Sequence, residues 1–337
     1  MTKKVAVIGG GIVGCITSFF LSEKGYDVIL IDQGAIGAEA SWAGAGILSP
    51  LLPWNYGDTV NNLCSGTADF YRQLSETLKK DTGIDPECVE SGMLIYDVPD
   101  KDHAISWCKK NEIEIQQVQV EKTICLLLPQ VTQIRNPRLL KALKTYLIKN
   151  NVVMMEHQKV SPISEASNFI THLQLENNTS LKADYYIVAS GAWSSYVLNE
   201  IDKPKIRPIR GQLIQYPAIQ EKLPYIVYKD DFYVLQRQDG VVLAGSTKED
   251  VGFDKGTTEE ARYSLQHKAE FLIPFLKNYK IENQWSGLRP GSEGNVPMIE
   301  KHQKYNNVYL NVGHYRYGLT MAPKAAKIIT DLITLNG

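Results

Sequence analysis

VAVIGGGIVGCITSFFLSEKGYDVILID, Val5 to Asp32, follows Lys3 and Lys4 near the start of the chain. From Val5 to Ser22 it carries no charge, a run that imitates the apolar stretch of a signal peptide or a membrane span. Its glycines point elsewhere. Gly9, Gly10, Gly11 and Gly14 would weaken a continuous helix from Val5, but they suit a buried strand, VAVIG, that turns into a helix near Gly11. SEKGYD puts Gly25 where a left-handed helix cap belongs, and VILID, Val28 to Asp32, reads as a second buried strand.

A strand, a glycine turn, a helix and a second strand form a βαβ unit, and that context gives Gly9-x-Gly11-x-x-Gly14 its meaning. The first glycine permits the tight turn, the second lets a pyrophosphate approach, and the third allows close helix packing. Asp32 ends the second strand, roughly 20 residues on, where a carboxylate accepts hydrogen bonds from an adenosine ribose and repels a 2′-phosphate. Such Rossmann units hold either NAD or FAD. Further along, KALKTYLIKNNVVMMEHQKV reads as a helix and a strand, Val152 to His157. HLQLENNTSLKADYYIVASGAW then reads as a hairpin and a buried strand that runs into Gly191 and Trp193. A strand and glycine turn returning to the nucleotide domain from so far along the chain suit FAD better than a simple NAD domain.

The pattern then changes. RPIRGQLIQYP and VYKDDFYVLQRQDGVVLAGSTKED, with a turn at Gln238-Asp239-Gly240, alternate like antiparallel strands with one solvated face. TTEEARYSLQHKAEFLIPFL reads as a helix capped by Thr257 or Thr258, and GTADFYRQLSETLKK as an amphipathic helix. NVYLNVGHYRYGLTMAPKAAKIITDLI reads as a strand to Val312, a polar loop with His314, Tyr315, Arg316 and Tyr317, and a helix from near Gly318. The N-terminus of that helix would favour negative charge on a reduced flavin.

Composition narrows the partners. With 36 basic and 37 acidic residues the chain lacks the excess positive charge of a nucleic-acid binder. At 337 residues it exceeds the length at which a single core usually splits, roughly 250–300 residues. The expectation is an α/β fold, a Rossmann-like FAD-binding domain with a mainly antiparallel α+β substrate domain. The first would take residues 1–80, 140–205 and 290–337, the second 81–139 and 206–289. The five cysteines are odd in number, widely spaced and free of any CxxC, so no disulfide framework or metal site is expected and a reducing cytoplasm fits.

VIGGGIVG with Asp32, SWAGAGILSP, GAWSS, RPIRGQ, GLRPGSEGNVPMIE and GHYRYGLTMAP, in order over nearly the whole chain, resemble the D-amino-acid oxidase superfamily of flavoproteins. Within it they resemble the glycine oxidases, the ThiO type associated with making the thiazole of thiamine. The resemblance implies that Arg289, in GLRPG, grips the substrate carboxylate in a two-pronged contact, for which the planar guanidinium suits better than an ammonium. It sets Arg316 near the flavin, either helping the carboxylate or neutralising a flavin carbonyl. Tyr233 falls where relatives hydrogen-bond the carboxylate, and packing on the antiparallel sheet is the other reading. His314 is either a satisfied loop histidine or a group near the ring. The implied FAD contacts are Gly9, Gly11, Ile12, Val13, Gly14, Asp32, Gln33, Ser41, Gly44, Gly46, Ile47, Val160, Gly191, Trp193, Arg289, His314, Tyr315, Arg316, Tyr317, Gly318 and Leu319.

The implied chemistry is hydride transfer from the Cα of a small amino acid, hydrolysis of the imine by water, and return of the electrons to molecular oxygen as hydrogen peroxide. No Ser-His-Asp set, metal cluster or carboxylate pair is needed. Asp32 replaces a glutamate common in relatives, Tyr317 replaces an expected asparagine, and Lys248 stands where some relatives have an apolar pocket residue. No cysteine follows Cys125, so FAD is expected to be held non-covalently. Two alternatives are a dehydrogenase of the same fold that reduces a membrane quinone and a flavin-binding subunit whose partner completes the site. The lack of a basic amphipathic helix argues against membrane docking, and a homo-oligomer is left open.

Overall fold

A computed structural model describes residues 2–164, 166–199 and 206–336. The expected domain boundary at 205/206 falls at the edge of residues outside this set. The first strand, Lys4–Ile8, lies between Asp27–Ile31 and Tyr185–Val188 in a six-stranded sheet. Its outer members are Val153–Met155 beyond one neighbour, and Val308–Val312 then Met298–Lys301 beyond the other. All pairings are parallel except that of Met298–Lys301 with Val308–Val312. The apolar run Val5–Ile8 is buried on both faces, as a parallel sheet between layers requires.

The glycine turn works as its sequence implies. Gly9 has φ +111°, and the first helix spans Ile12–Glu23. A Cβ on Gly14 would lie 1.8 Å from the Gly9 carbonyl oxygen, so helix and turn approach within a distance that any side chain forbids. Gly25 has φ +81° and closes the helix as a cap. This helix packs on the long C-terminal helix, Gly318–Asn336, and on Asn136–Lys149 in one apolar core. Among the described residues no helix is long and apolar enough to cross a membrane.

The second sheet has eight strands in the order Asn283–Gly291, Arg207–Ala218, Val241–Gly245, Phe232–Gln236, Ile226–Lys229, Met93–Ile95, Thr123–Leu128 and Gln116–Val120. Only Ile226–Lys229 with Met93–Ile95 is parallel. The expected single solvated face is not found in its middle, where successive residues Val234 and Leu235 are both fully buried. Ile214, Tyr216, Phe232, Val234, Val242 and Ala244 pack under the helix Glu259–Leu272, whose Leu265 and Ala269 cover them. Leu213, Tyr228, Tyr233, Leu235 and Leu243 turn the other way, into a core with Leu51, Trp54, Tyr317 and Met321. Alternation signals a polar face only if nothing covers it; here a helix covers one face and the rest of the chain the other. Thr258 caps the covering helix, its hydroxyl accepting from the Ala261 N–H at 3.2 Å.

Candidate active site

A long cleft takes its walls from both sheets. At one end stand Gly9, Gly11, Ile12 and Val13 with Asp32 and Gln33. The carboxylate of Asp32 accepts the N–H groups of Gly10 and Gly34, each at 2.7 Å, so it is fixed in direction. Burial raises its pKa above the ordinary carboxylate value, and the two N–H bonds oppose that shift. Ser41 lends its hydroxyl oxygen to the N–H of Ile12 at 2.8 Å and so caps the first helix. That helix has no acidic residue in its first turn, which leaves its N-terminal end positive.

Gly44, Gly46, Ile47, Val160, Gly191 and Trp193 line the middle of the cleft, and the Trp193 ring stacks at a tilt against Phe253 with centroids 5.6 Å apart. At the far end are Tyr233, Arg289, His314, Tyr315, Arg316 and Tyr317, with Gly318 and Leu319 at the start of the C-terminal helix. Of the residues expected to touch FAD or the substrate carboxylate, Gly14 alone does not line the cleft; it lies behind the wall against Gly9.

Arg289 is held from below. It pairs with Ile209 across the ladder, and Gly211, two residues along, shares that face of the sheet. The guanidinium lies over Gly211, where a Cβ would come within 2.2 Å of Nη1 and Nη2. Nη1 donates to the Thr247 carbonyl oxygen at 3.1 Å and Nη2 to the Ser246 hydroxyl at 2.6 Å. Both acceptors are neutral, and no carboxylate among the described residues pairs with Arg289. Thr247 is held in turn by Glu249, which also accepts from Gln212 and from the buried Arg210. Tyr233 lines the same end of the cleft, three strands over from Arg289 and opposite Gly245. Burial raises its phenol pKa against the pull of Arg289, so the hydroxyl stays protonated at neutral pH and can donate.

Arg316 is different. Its Nη1 lies 3.1 Å from Oδ1 of Asp231, which also accepts from the Tyr228 hydroxyl at 2.9 Å. Burial opposes its charge, but Tyr317, Asp231 and Tyr56 outweigh that and raise its pKa. Tyr317, where asparagine was expected, is buried and donates to the Tyr56 hydroxyl at 2.6 Å, the rings meeting edge to face. Lys248 is exposed and does not line the cleft, so it does not become a pocket cation. His314 is buried, and its Nε2 has no partner among the described residues, so it is not a satisfied loop histidine. Burial lowers its pKa to about 3, which leaves the ring neutral.

The wall fits a flavin dinucleotide. A glycine turn leads to a positive helix end for a diphosphate, a fixed carboxylate stands at the tip of the second strand, and a buried ring nitrogen in the wall awaits a partner. The sequence reading missed Gly211, Ser246, Tyr56 and Asp231. The glycine within the strand RPIRGQ was the available signal, since a strand glycine marks close approach of another group. For the other three no local pattern exists.

A glycine oxidase from Pseudomonas putida is 36% identical over 348 residues, covering 99% of this chain and 95% of that protein. The bifunctional protein ThiO/ThiG from Nostoc sp. is 26% identical, with 99% of this chain matching 53% of that protein. The crystal structure of glycine oxidase from Bacillus cereus ATCC 14579 superposes with a TM-score of 0.91 at 24% identity, covering 100% of this chain and 96% of that one, so the fold is shared. The FAD-dependent oxidoreductase family, DAO, matches residues 4–332, and this chain belongs to that family.

Proposed function

We propose that this chain oxidises glycine and other small amines, including sarcosine and small D-amino acids, to the 2-oxo acid, ammonia or amine, and hydrogen peroxide. Arg289 carries the reading. Its guanidinium opens on the cleft, held by two neutral acceptors and by no acid among the described residues. A desolvated cation without an anion is unfavourable unless a ligand supplies one, and an amino-acid carboxylate matches its fork. Tyr233, protonated, donates a further hydrogen bond to the same carboxylate.

Bound FAD supplies the two-electron acceptor for the hydride leaving Cα. The chain supplies position: Arg289 and Tyr233 fix the carboxylate, and Arg316 stands beside them as a second, neutralised cation. The apolar wall of Leu51, Ile47 and Leu213 limits side-chain size. Water hydrolyses the imine, and molecular oxygen takes the electrons. Gly9, Gly11, Asp32, Ser41 and the other wall residues named from sequence are the proposed FAD contacts, with Gly14 acting through packing. FAD is held without a covalent bond, a reading supported by the absence of any cysteine from the cleft wall among the described residues. The two sheets support a division into an FAD domain and a substrate domain, although the helices Thr67–Thr82 and Asn136–Lys149 and the strand Asn283–Gly291 run through the expected boundaries at 80/81, 139/140 and 289/290. The ThiO/ThiG relative supports a place in making the thiazole of thiamine, and the cytoplasm is the proposed compartment.

The test is the visible spectrum of the purified protein, mixed with glycine without oxygen and then exposed to air. Bleaching followed by recolouring with release of peroxide is the expected result. Bleaching without rapid recolouring identifies a dehydrogenase with another acceptor, and no change with glycine, sarcosine or D-alanine favours a subunit that needs a partner.

A further inference from the structure

We propose that Asp231 sets the charge class of the substrate, pairing with Arg316 so that Arg289 is left, among the described residues, as the one cation without a paired acid at the reacting end of the cleft. This rests on the reading of Arg289 as the carboxylate clamp. Arg289 and Arg316 both line the cleft and are close enough to repel one another. Two free arginines would suit two carboxylates. Only one of them is free, because Asp231 holds the guanidinium of Arg316 at 3.1 Å.

The position of Asp231 is fixed by the fold. It sits at φ +62° in the tight turn that joins Ile226–Lys229 to Phe232–Gln236, the hairpin that carries Tyr233. Tyr228, which faces Tyr233 across that hairpin, donates to the same oxygen of Asp231. The acid is exposed at the rim, at 67% side-chain accessibility against 17% for Arg316, so it reaches inward to an arginine that belongs to the wall. Lys248 acts on Asp231 from outside and is not part of the wall. The buried Arg237 bonds Gln133, Ile134 and Ala45, the buried Arg210 pairs with Glu249 and Asp254, and neither lines the cleft. The site therefore takes amines with one carboxylate and turns away those with two, whose second anion would meet Asp231 in place of a free arginine.

The FAD-loaded protein can be titrated with two inert acids, acetate and malonate, by the change each makes in flavin absorbance. Asp231→Asn keeps the shape of the side chain and frees Arg316, so the affinity for malonate relative to acetate should rise about tenfold or more, the worth of one charged hydrogen-bond pair. Asp230→Asn removes the same charge from the neighbouring exposed position and should leave that ratio unchanged. Adding Arg316→Gln to Asp231→Asn should abolish the gain. The proposal is overturned by an unchanged ratio in Asp231→Asn, by an equal rise in Asp230→Asn, or by a gain that survives the loss of Arg316. Wild-type protein that binds neither acid would instead remove the carboxylate-clamp reading beneath it, and the two failures are thereby distinct.

Discussion

Replacing Gly211 with alanine adds one methyl group where the Arg289 guanidinium lies. The new Cβ would stand 2.2 Å from Nη1 and Nη2 and 2.3 Å from Cζ, more than ~1 Å inside the optimal separation of about 3.5 Å. The backbone has no cause to yield. Gly211 sits in a strand without a left-handed φ, and alanine there gains about 0.5–1 kcal/mol of chain entropy. The guanidinium is the free end of a flexible side chain, so it moves and gives up its bonds to Thr247 and Ser246. A misplacement of about 1 Å in a positioning group costs roughly 100-fold in rate, or about 2.7 kcal/mol. The assay is kcat/KM for glycine from peroxide release, alongside FAD content and Tm. We expect kcat/KM to fall about 100-fold, with FAD content retained and Tm not lowered. Activity within about twofold of wild type would refute the placement of Arg289 over this glycine. A joint loss of FAD and Tm would show that Gly211 serves backbone packing instead.

Other consequences follow from the same contacts. Gly14→Ala drives a Cβ to 1.8 Å from the Gly9 carbonyl oxygen, where only backbone can give way; we expect a loss of about 1–3 kcal/mol in stability and of bound FAD, and a variant with wild-type Tm and FAD content would contradict the packing described. Burial lowers the pKa of His314 from 6.5 to about 3. The unfolded chain therefore binds a proton below pH 6.5 that the folded chain refuses, and stability drains away as pH falls through that value. His314→Gln lacks this term, so its stability relative to wild type should improve by about 2 kcal/mol between pH 6.5 and 5, measured by urea unfolding; a difference that does not change with pH would contradict a neutral, buried His314.

The first βαβ unit was legible because every signal in it is local: glycines at fixed spacing, an uncharged strand and Asp32 at its end. Arg289 stood out as a lone charge in GLRPG, whose glycines and proline suggest a turn but which forms the end of the strand Asn283–Gly291, and its role came by resemblance. What holds it was not legible, since Gly211 and Thr247 reach it only through strand pairing between segments far apart in sequence. Alternation in residues 207–245 gave antiparallel strands correctly and the solvated face wrongly, because the helix Glu259–Leu272 covers a surface that the strands' own sequence does not reveal. Tyr317 and Lys248 looked like departures of equal weight. The fold separates them, burying one against Tyr56 and exposing the other. Asp231 carried no pattern at all, because its importance lies in an arginine 85 residues away.

The most direct test of the account is the glycine dependence of anaerobic flavin bleaching in wild type and in Arg289→Ala. Losing a charged, two-pronged contact to the carboxylate costs about 3 kcal/mol or more. The half-saturating glycine concentration should therefore rise at least about 100-fold, with the flavin still bound. The same half-saturating concentration in both proteins would show that Arg289 does not hold the substrate, and the central claim would fall.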